Sequence, residues 1–165
     1  MDAIVAVYSD WGIGAEGTQP LVLHADRAFF RRMTEGAAII VGRNTLADFP
    51  GGRPLKGRFN IIMTRQKMEI EGAYVAQDVQ QAIDAGHRHD KAFVVGGASV
   101  YMQFFPSLER VYVTQIDARP ESTAFFPNLD RNPDWRCTDE GPWQEEAGVR
   151  YRFCVYEKCR SEVDG

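Results

Sequence analysis

Five apolar, β-rich runs recur along the chain: Ile4-Val5-Ala6-Val7-Tyr8, Ala37-Ala38-Ile39-Ile40-Val41, Asn60-Ile61-Ile62-Met63, Ala92-Phe93-Val94-Val95 and Val111-Tyr112-Val113-Thr114-Gln115-Ile116. They are unbroken. A strand with one wet face alternates apolar with polar residues, whereas a strand covered on both faces has no need to, and that is the pattern of a parallel sheet. Stretches of helical character fall between the runs, at about 24–34, 43–48, 78–86 and 98–105. Strand and helix therefore alternate, which predicts the α/β class. The last third changes. Val149, Tyr151, Phe153 and Val155 alternate with Arg150, Arg152, Cys154 and Tyr156, a period-two strand that predicts an antiparallel edge with one wet face. A partner strand is expected near Trp135-Arg136-Cys137-Thr138, joined through Gly141-Pro142 and Gly148.

Composition narrows the function classes. At 165 residues, with 44% hydrophobic and 25% charged, the chain is one domain's worth and neither disordered nor fibrous. The expected domain covers 1–158, followed by a polar, frayed tail over 159–165. The net charge of −4 argues against nucleic-acid or membrane-surface binding through overall charge and leaves room for a local basic pocket. No apolar run reaches the ~18 residues of a membrane span, and the start lacks the basic n-region of a signal peptide. Three cysteines, Cys137, Cys154 and Cys159, show no CxxC spacing; reduced thiols and a cytoplasmic location are expected. His24, His87 and His89 are scattered, so no metal is expected.

Gly12-Ile13-Gly14-Ala15-Glu16-Gly17 matches GxGxxG after a predicted strand. The dinucleotide fingerprint needs a helix to open there, so that backbone N–H groups meet a pyrophosphate. Thr18-Gln19-Pro20-Leu21-Val22-Leu23 follows instead, and Pro20 disfavours helix. A glycine-permitted mobile loop is the expectation.

Asp26, Phe30 and Met33 stand at i, i+4 and i+7 on one face of the first predicted helix. Such an acid either complements the helix dipole and a nearby arginine, or is a partly buried carboxylate that accepts hydrogen bonds from a ligand, with its pKa raised by desolvation. Three strand ends carry groups suited to phosphate: Gly42-Arg43-Asn44-Thr45, Thr64-Arg65 and Gly96-Gly97-Ala98-Ser99. Each glycine pair alone is a turn. Together, beyond the carboxyl ends of parallel strands, they suit a shared pyrophosphate, and Arg43 and Arg65 add charge for a further phosphate, which points to NADP rather than NAD. Arg58, in Arg53-Pro54-Leu55-Lys56-Gly57-Arg58, is either solvated or a carboxylate clamp.

Read as an ordered set, these segments resemble dihydrofolate reductase: Ile13-Gly14, Pro20, Ala25-Asp26 with Phe29-Phe30, Gly42 to Thr45, Gly52 to Ile62, Val94 to Tyr101 and Val111 to Asp117, in order from about residue 3 to residue 156. The resemblance implies an eight-stranded, mostly parallel sheet with an antiparallel C-terminal edge and four helices, acting as a monomer. It implies NADPH-dependent reduction of 7,8-dihydrofolate to 5,6,7,8-tetrahydrofolate. Asp26 would bind the pterin and promote protonation at N5, oriented by Thr114. Ile4, Val5, Leu21, Phe30, Leu55, Arg58 and Val95 would contact substrate, with Arg58 on the glutamate carboxylate. Ala6, Ile13, Gly14, Gly42, Arg43, Asn44, Thr45, Thr64, Arg65, Gly96, Gly97, Ala98, Ser99, Val100 and Tyr101 would bind the cofactor. Ser9 to Val22 would form a lid.

The family pattern is broken in four places. Leu21 stands where a Trp is usual, Gln19 where a large apolar residue is usual, His24 where Pro is frequent, and Ala98 for the third glycine of a triplet. Two other readings remain open at this point. One is a reductase of the same fold acting on another pterin or on a ribosylaminopyrimidine of flavin biosynthesis. The other is a non-catalytic NADPH- or folate-binding protein.

Overall fold

The computed structural model describes residues 1–15 and 19–159. Glu16 and Gly17 of the glycine motif, and the tail beyond Cys159, lie outside the described residues. In chain order the elements are β1 (Asp2–Val7), β2 (Gly12–Gly14), α1 (His24–Thr34), β3 (Ala38–Gly42), α2 (Arg43–Ala47), β4 (Phe59–Met63), β5 (Ala73–Ala76) and α3 (Val79–Gly86). They continue with β6 (Ala92–Gly96), α4 (Ala98–Phe104), β7 (Arg110–Ile116), β8 (Ala124–Phe125), β9 (Trp135–Glu140), β10 (Gln144–Glu146) and β11 (Val149–Lys158).

The main sheet runs β10-β11-β7-β1-β6-β3-β4-β5, with β9 also paired to β11. β9 and β10 lie end to end along one edge of β11, β10 against Val149 to Tyr151 and β9 against Cys154 to Lys158. The sheet thus has eight strand positions, filled by nine strands. Pairings among β7, β1, β6, β3, β4 and β5 are parallel, and β11 pairs antiparallel with β7, β9 and β10. The unbroken apolar runs explain the parallel centre: Ile39, Ile40, Val41, Ile61, Ile62 and Val94 are all fully buried, which requires cover on both faces. All four helices form where the sequence places them. Among the described residues no helix is long and apolar enough to cross a membrane.

Three features differ from the sequence reading. First, β5 was not foreseen; with four residues, Ala73 to Ala76, at the sheet edge, it is too short for periodicity to register. Second, the face of β11 expected to be wet is only half so. Val149, Tyr151 and Phe153 pack toward α1 with Leu23 and Ala25, as the alternation predicts. On the other face Cys154 and Tyr156 are buried with Trp11, Phe126 and Trp135. An aromatic layer, with Trp11 edge-on to Tyr156 at 5.7 Å, covers what a single strand's pattern assigns to solvent. Third, Gly12 to Gly14 form a strand that pairs with β8. Among the described residues no helix opens at the glycine motif, in line with the expectation from Pro20, and the described part is a ribbon.

The β10–β11 connection is a two-residue turn. Glu146 pairs with Val149, and the intervening Ala147 and Gly148 have φ of 52° and 80°. This is the doubly left-handed turn that matches strand twist, and it favours Asn or Gly over Ala. Ala147→Asn is expected to stabilise the protein by about 0.5–1 kcal/mol in urea unfolding; a neutral or destabilising result would contradict this turn geometry.

Candidate active site

The carboxyl ends of β1, β3, β4 and β6 open into one cleft of about 1250 Å³, larger than a single drug-sized site needs. Its floor is Ile4, Val5, Ala6 and Val95; Asp26 and Phe30 of α1 form one wall with Leu55 and Arg58 from the loop before β4. Ile13 and Gly14 of β2 close one end. Gly42, Arg43, Asn44, Thr45, Thr64, Arg65 and the stretch from Gly96 to Tyr101 form the other side.

Two residues assigned from the sequence lie outside the cleft lining, Thr114 where its expected bond to Asp26 requires and Leu21 away from the expected contact. Thr114 is buried in β7 behind Asp26 and reaches the cleft only through it. Leu21 packs with Ala6, Tyr8, Leu23 and Tyr151, away from the lining. Its backbone is pinned there, since the Leu21 N–H donates to Tyr8 Oη at 3.2 Å and the Tyr8 hydroxyl donates to the Leu21 carbonyl at 3.3 Å. Val22, exposed, and Gln19 line the cleft instead.

Asp26 is half-buried, and its Oδ1 accepts the Thr114 Oγ1–H at 2.7 Å. Burial pushes its carboxyl above the usual carboxylate range, the Thr114 bond pulls it back, and the negative charge of Glu146 raises it further. The Tyr101 hydroxyl donates to the Ile4 carbonyl at 2.7 Å, fixing α4 to β1 beneath the cleft, and burial drives its own ionisation far up.

The glycine turns meet face to face. A Cβ on Gly97 would stand 3.2 Å from Thr45 Oγ1, so the start of α4 approaches α2 closely enough that a side chain there would press Thr45 aside by a few tenths of an ångström. Gly96 has φ of 117°, a conformation that favours glycine. Between these turns and Arg65, Arg43 donates from Nη1 to Gln66 Oε1 at 2.7 Å, and the Gln66 N–H donates to Thr64 Oγ1 at 3.2 Å. Gln66 thus holds the basic corner together.

Arg58 is fixed by three bonds: Nε to Thr34 Oγ1 at 3.2 Å, Nη1 to the Lys56 carbonyl at 2.7 Å and Nη2 to the Arg31 carbonyl at 3.3 Å. The buried Thr34 in turn donates to the Phe30 carbonyl at 2.7 Å. Asn60 holds the same wall. Its Oδ1 accepts the Leu55 N–H at 3.0 Å, and its Nδ2 donates to the Leu55 carbonyl at 2.8 Å and the Arg58 carbonyl at 3.1 Å. Asn60, Thr34, Gln66 and Glu146 were all missed from the sequence. Only Asn60 carried a signal, as the sole amide at the head of an apolar run.

A phosphate-suited glycine cradle facing a lone desolvated acid across an apolar floor is the framework of a nucleotide-dependent oxidoreductase. The comparisons agree. The family model for dihydrofolate reductase matches residues 1–158. The chain is 33% identical to the dihydrofolate reductase of Bacillus subtilis over 93% of this chain and 91% of that one. It is 35% identical to that of Rattus norvegicus over 96% and 97%. A solved structure of the Enterococcus faecalis dihydrofolate reductase, complexed with NADP(H) and RAB-propyl, superimposes with a TM-score of 0.84 at 27% identity over 95% of each chain. The chain belongs to the dihydrofolate reductase family. As a member it is an NADPH-dependent oxidoreductase.

Asn60→Ala would strand the half-buried Leu55 N–H and carbonyl. A loss of about 2–3 kcal/mol in unfolding free energy is expected, with faster amide exchange at Leu55. Unchanged exchange there would show that Asn60 does not hold the wall.

Proposed function

We propose that the chain reduces 7,8-dihydrofolate to 5,6,7,8-tetrahydrofolate with NADPH. The observation that carries the reading is the setting of Asp26: an acid half-buried in an apolar wall, bonded to Thr114, with a glycine-lined basic corner in the same cleft.

The residues fit the cofactor. The close approach of Gly97 to Thr45 leaves backbone N–H groups and a hydroxyl for a pyrophosphate, which Thr45 and the turn from Gly96 to Ser99 would hold. Arg43, Thr64 and Arg65 would hold the 2′-phosphate, with the charge and donors that a phosphomonoester needs. Gly14, Gly42, Asn44 and Val100 would shape the groove around it. Ala6 and Ile13 would flank the carboxamide, and Tyr101 would lie by the nicotinamide ring. When bound, NADPH supplies a hydride from nicotinamide C4 to pterin C6.

This chain's own groups would do the rest. The Asp26 carboxylate offers two acceptors to the pterin N3–H and 2-amino group, an amidine-like edge with two donors. Its retained proton affinity would support delivery of a solvent proton to N5, so that hydride and proton together saturate the N5–C6 double bond. Phe30 and Leu55 would pack on the pterin and benzoyl rings over the floor of Ile4, Val5 and Val95. Arg58 would pair with the α-carboxylate of the glutamate tail. The loop carrying β2 would exclude water; the Thr123 N–H already ties it to β8 by donating to the Gly14 carbonyl at 2.9 Å. A monomeric enzyme is part of this proposal, since every residue named above for the two ligands comes from this one chain.

Spectrophotometric NADPH oxidation with dihydrofolate tests the reading, and no turnover by intact protein that binds NADPH would overturn it. Asp26→Asn is expected to cut the rate at neutral pH by about 100-fold or more, with partial recovery in acid. The same variant makes a stability prediction of opposite sign. The folded-state pKa of Asp26 is raised, so its ionised form costs stability above that pKa, and the cost vanishes below the ordinary carboxylate range. Asp26→Asn should therefore melt about 2–4 °C higher than the natural protein at neutral pH, with the gap closing in acid.

Arg58 separates this substrate from others. Arg58→Leu should raise KM for dihydrofolate roughly tenfold or more and leave KM for NADPH unchanged. An unchanged KM for dihydrofolate would favour a reductase of the same fold whose substrate has no glutamate tail.

A further inference from the structure

Glu146 stands outside the cleft lining, yet it governs the helix that carries the acid. α1 begins at His24 with Leu23 at its N-cap, and Leu23 offers no side-chain acceptor. The first N–H groups of a helix need partners from outside it. Here Glu146 supplies both: its Oε2 accepts the His24 N–H at 2.7 Å and its Oε1 accepts the Ala25 N–H at 3.0 Å. A proline at position 24 would have no N–H to offer, so His24 creates one of the two bonds. The carboxylate is held in place by its own hairpin, because Glu146 is the last residue of β10 and the tight Ala147-Gly148 turn fixes it opposite Val149. β11 grips α1 again one turn further on, where Phe153 stacks on Phe29 at 4.5 Å.

We propose that Glu146 is a positioning residue for Asp26: by clamping the first turn of α1 from the β10–β11 hairpin, it keeps the acid within hydrogen-bond reach of Thr114. The inference rests on the role given to Asp26 above and extends it to a residue with no place in the cleft. The clamp also carries a charge. Hydrogen bonds from the Ala25 and His24 N–H groups hold the Glu146 carboxyl below its usual range, which favours its charged form. A second negative group near Asp26 disfavours ionisation of the acid. The other groups facing Asp26 are the Thr114 hydroxyl from β7 and the phenols of Tyr8 and Tyr101, both sensitive to its charge. Arg27 and Arg31 of α1 and Arg58 line the same cleft. Facing Glu146 is His24, and Tyr151 of β11 packs in the cluster that holds Ala25. Asp48 is the other carboxylate of the cleft lining, with Arg43 and Arg65 as further cations, but it is the charge of Glu146 that bears on Asp26, and removing it leaves the phenols and guanidinium groups in place.

Two variants test the assignment with two readouts. Glu146→Gln keeps a carbonyl acceptor for one N–H and removes the charge; Glu146→Ala removes both. The readouts are the pH profile of kcat/KM for dihydrofolate and the carboxyl NMR titration of Asp26 without substrate, assigned by comparison with Asp26→Asn. In Glu146→Gln both midpoints should move toward acid, with a rate loss of about threefold near neutral pH that is smaller in mild acid. Glu146→Ala should show the same movement and, in addition, faster amide exchange at His24 and Ala25. Midpoints unmoved in Glu146→Gln would overturn the inference, even if Glu146→Ala fails to fold. If the natural protein does not turn over dihydrofolate, the proposed function falls, and the Asp26 titration alone still decides the role of Glu146.

Discussion

A carboxylate on the apolar stripe of a helix is costly unless something answers its charge. At Asp26 a single neutral donor answers it: the Thr114 hydroxyl, 2.7 Å away in β7 and itself fully buried. A guanidinium in that place would hold the acid firmly ionised, and a wholly apolar pocket would keep it protonated. One hydroxyl against partial desolvation leaves it between these limits. Much of the architecture serves that balance. The parallel runs of β1 and β7 place Thr114 beside Ala6 in register, and α1 packs on these strands, its Phe29, Phe30 and Met33 against Ile4, Phe93 and Tyr112, so that Asp26 meets the hydroxyl.

The chain's overall negative charge and the basic character of its cleft are not in conflict. Arg27, Arg31, Arg43, Arg58 and Arg65 all contribute to the cleft lining, against Asp26 and Asp48 as its carboxylates. Local fields decide what enters a cleft, and net charge governs solubility and non-specific association. The arginines are also deployed differently. Arg58 is locked by three backbone and hydroxyl acceptors, which leaves its orientation set before any ligand arrives. Arg43 is steered by a single amide, Gln66. Pre-set donors reduce the ordering cost of binding.

Most of the fold was legible because its signals are local. An unbroken, β-branched run such as Ile39 to Val41 suggests a doubly covered strand, and Pro20 disfavours a helix behind the glycine motif. The cleft side of the glycine turns was legible for the same reason, since Gly42 to Thr45 and Gly96 to Ser99 carry strand end, glycine and helix start in a few residues. What stayed hidden depends on partners far away in the chain. Cys154 and Tyr156 read as wet until Trp11 and Phe126 cover them. Leu21 inherited a cleft role from its position after Pro20, yet Tyr8, 13 residues earlier, draws its backbone the other way. Glu146 sits in a polar edge strand 122 residues from the N–H it caps, and nothing in Gln144-Glu145-Glu146 distinguishes a solvated carboxylate from a remote helix cap.

These hidden contacts share a geometry. The cleft walls are built from the central strands, but both of its adjustable parts are held from the C-terminal third of the chain. β8 pairs with β2 and fixes the described part of the loop over the cleft. It does so at close quarters, for a Cβ on Gly12 would collide with the side chain of Ser122. The β10–β11 hairpin holds the start of α1 through Glu146 and its middle through the Phe29–Phe153 stack. A core of parallel strands can set where a ligand lies, but its loops and helix starts are left with unpartnered backbone groups. The antiparallel edge supplies those partners. Residues far from the cleft lining thereby bear on the site, and substitutions there should be read for their effect on Asp26 and on the β2 strand before they are assigned to packing alone.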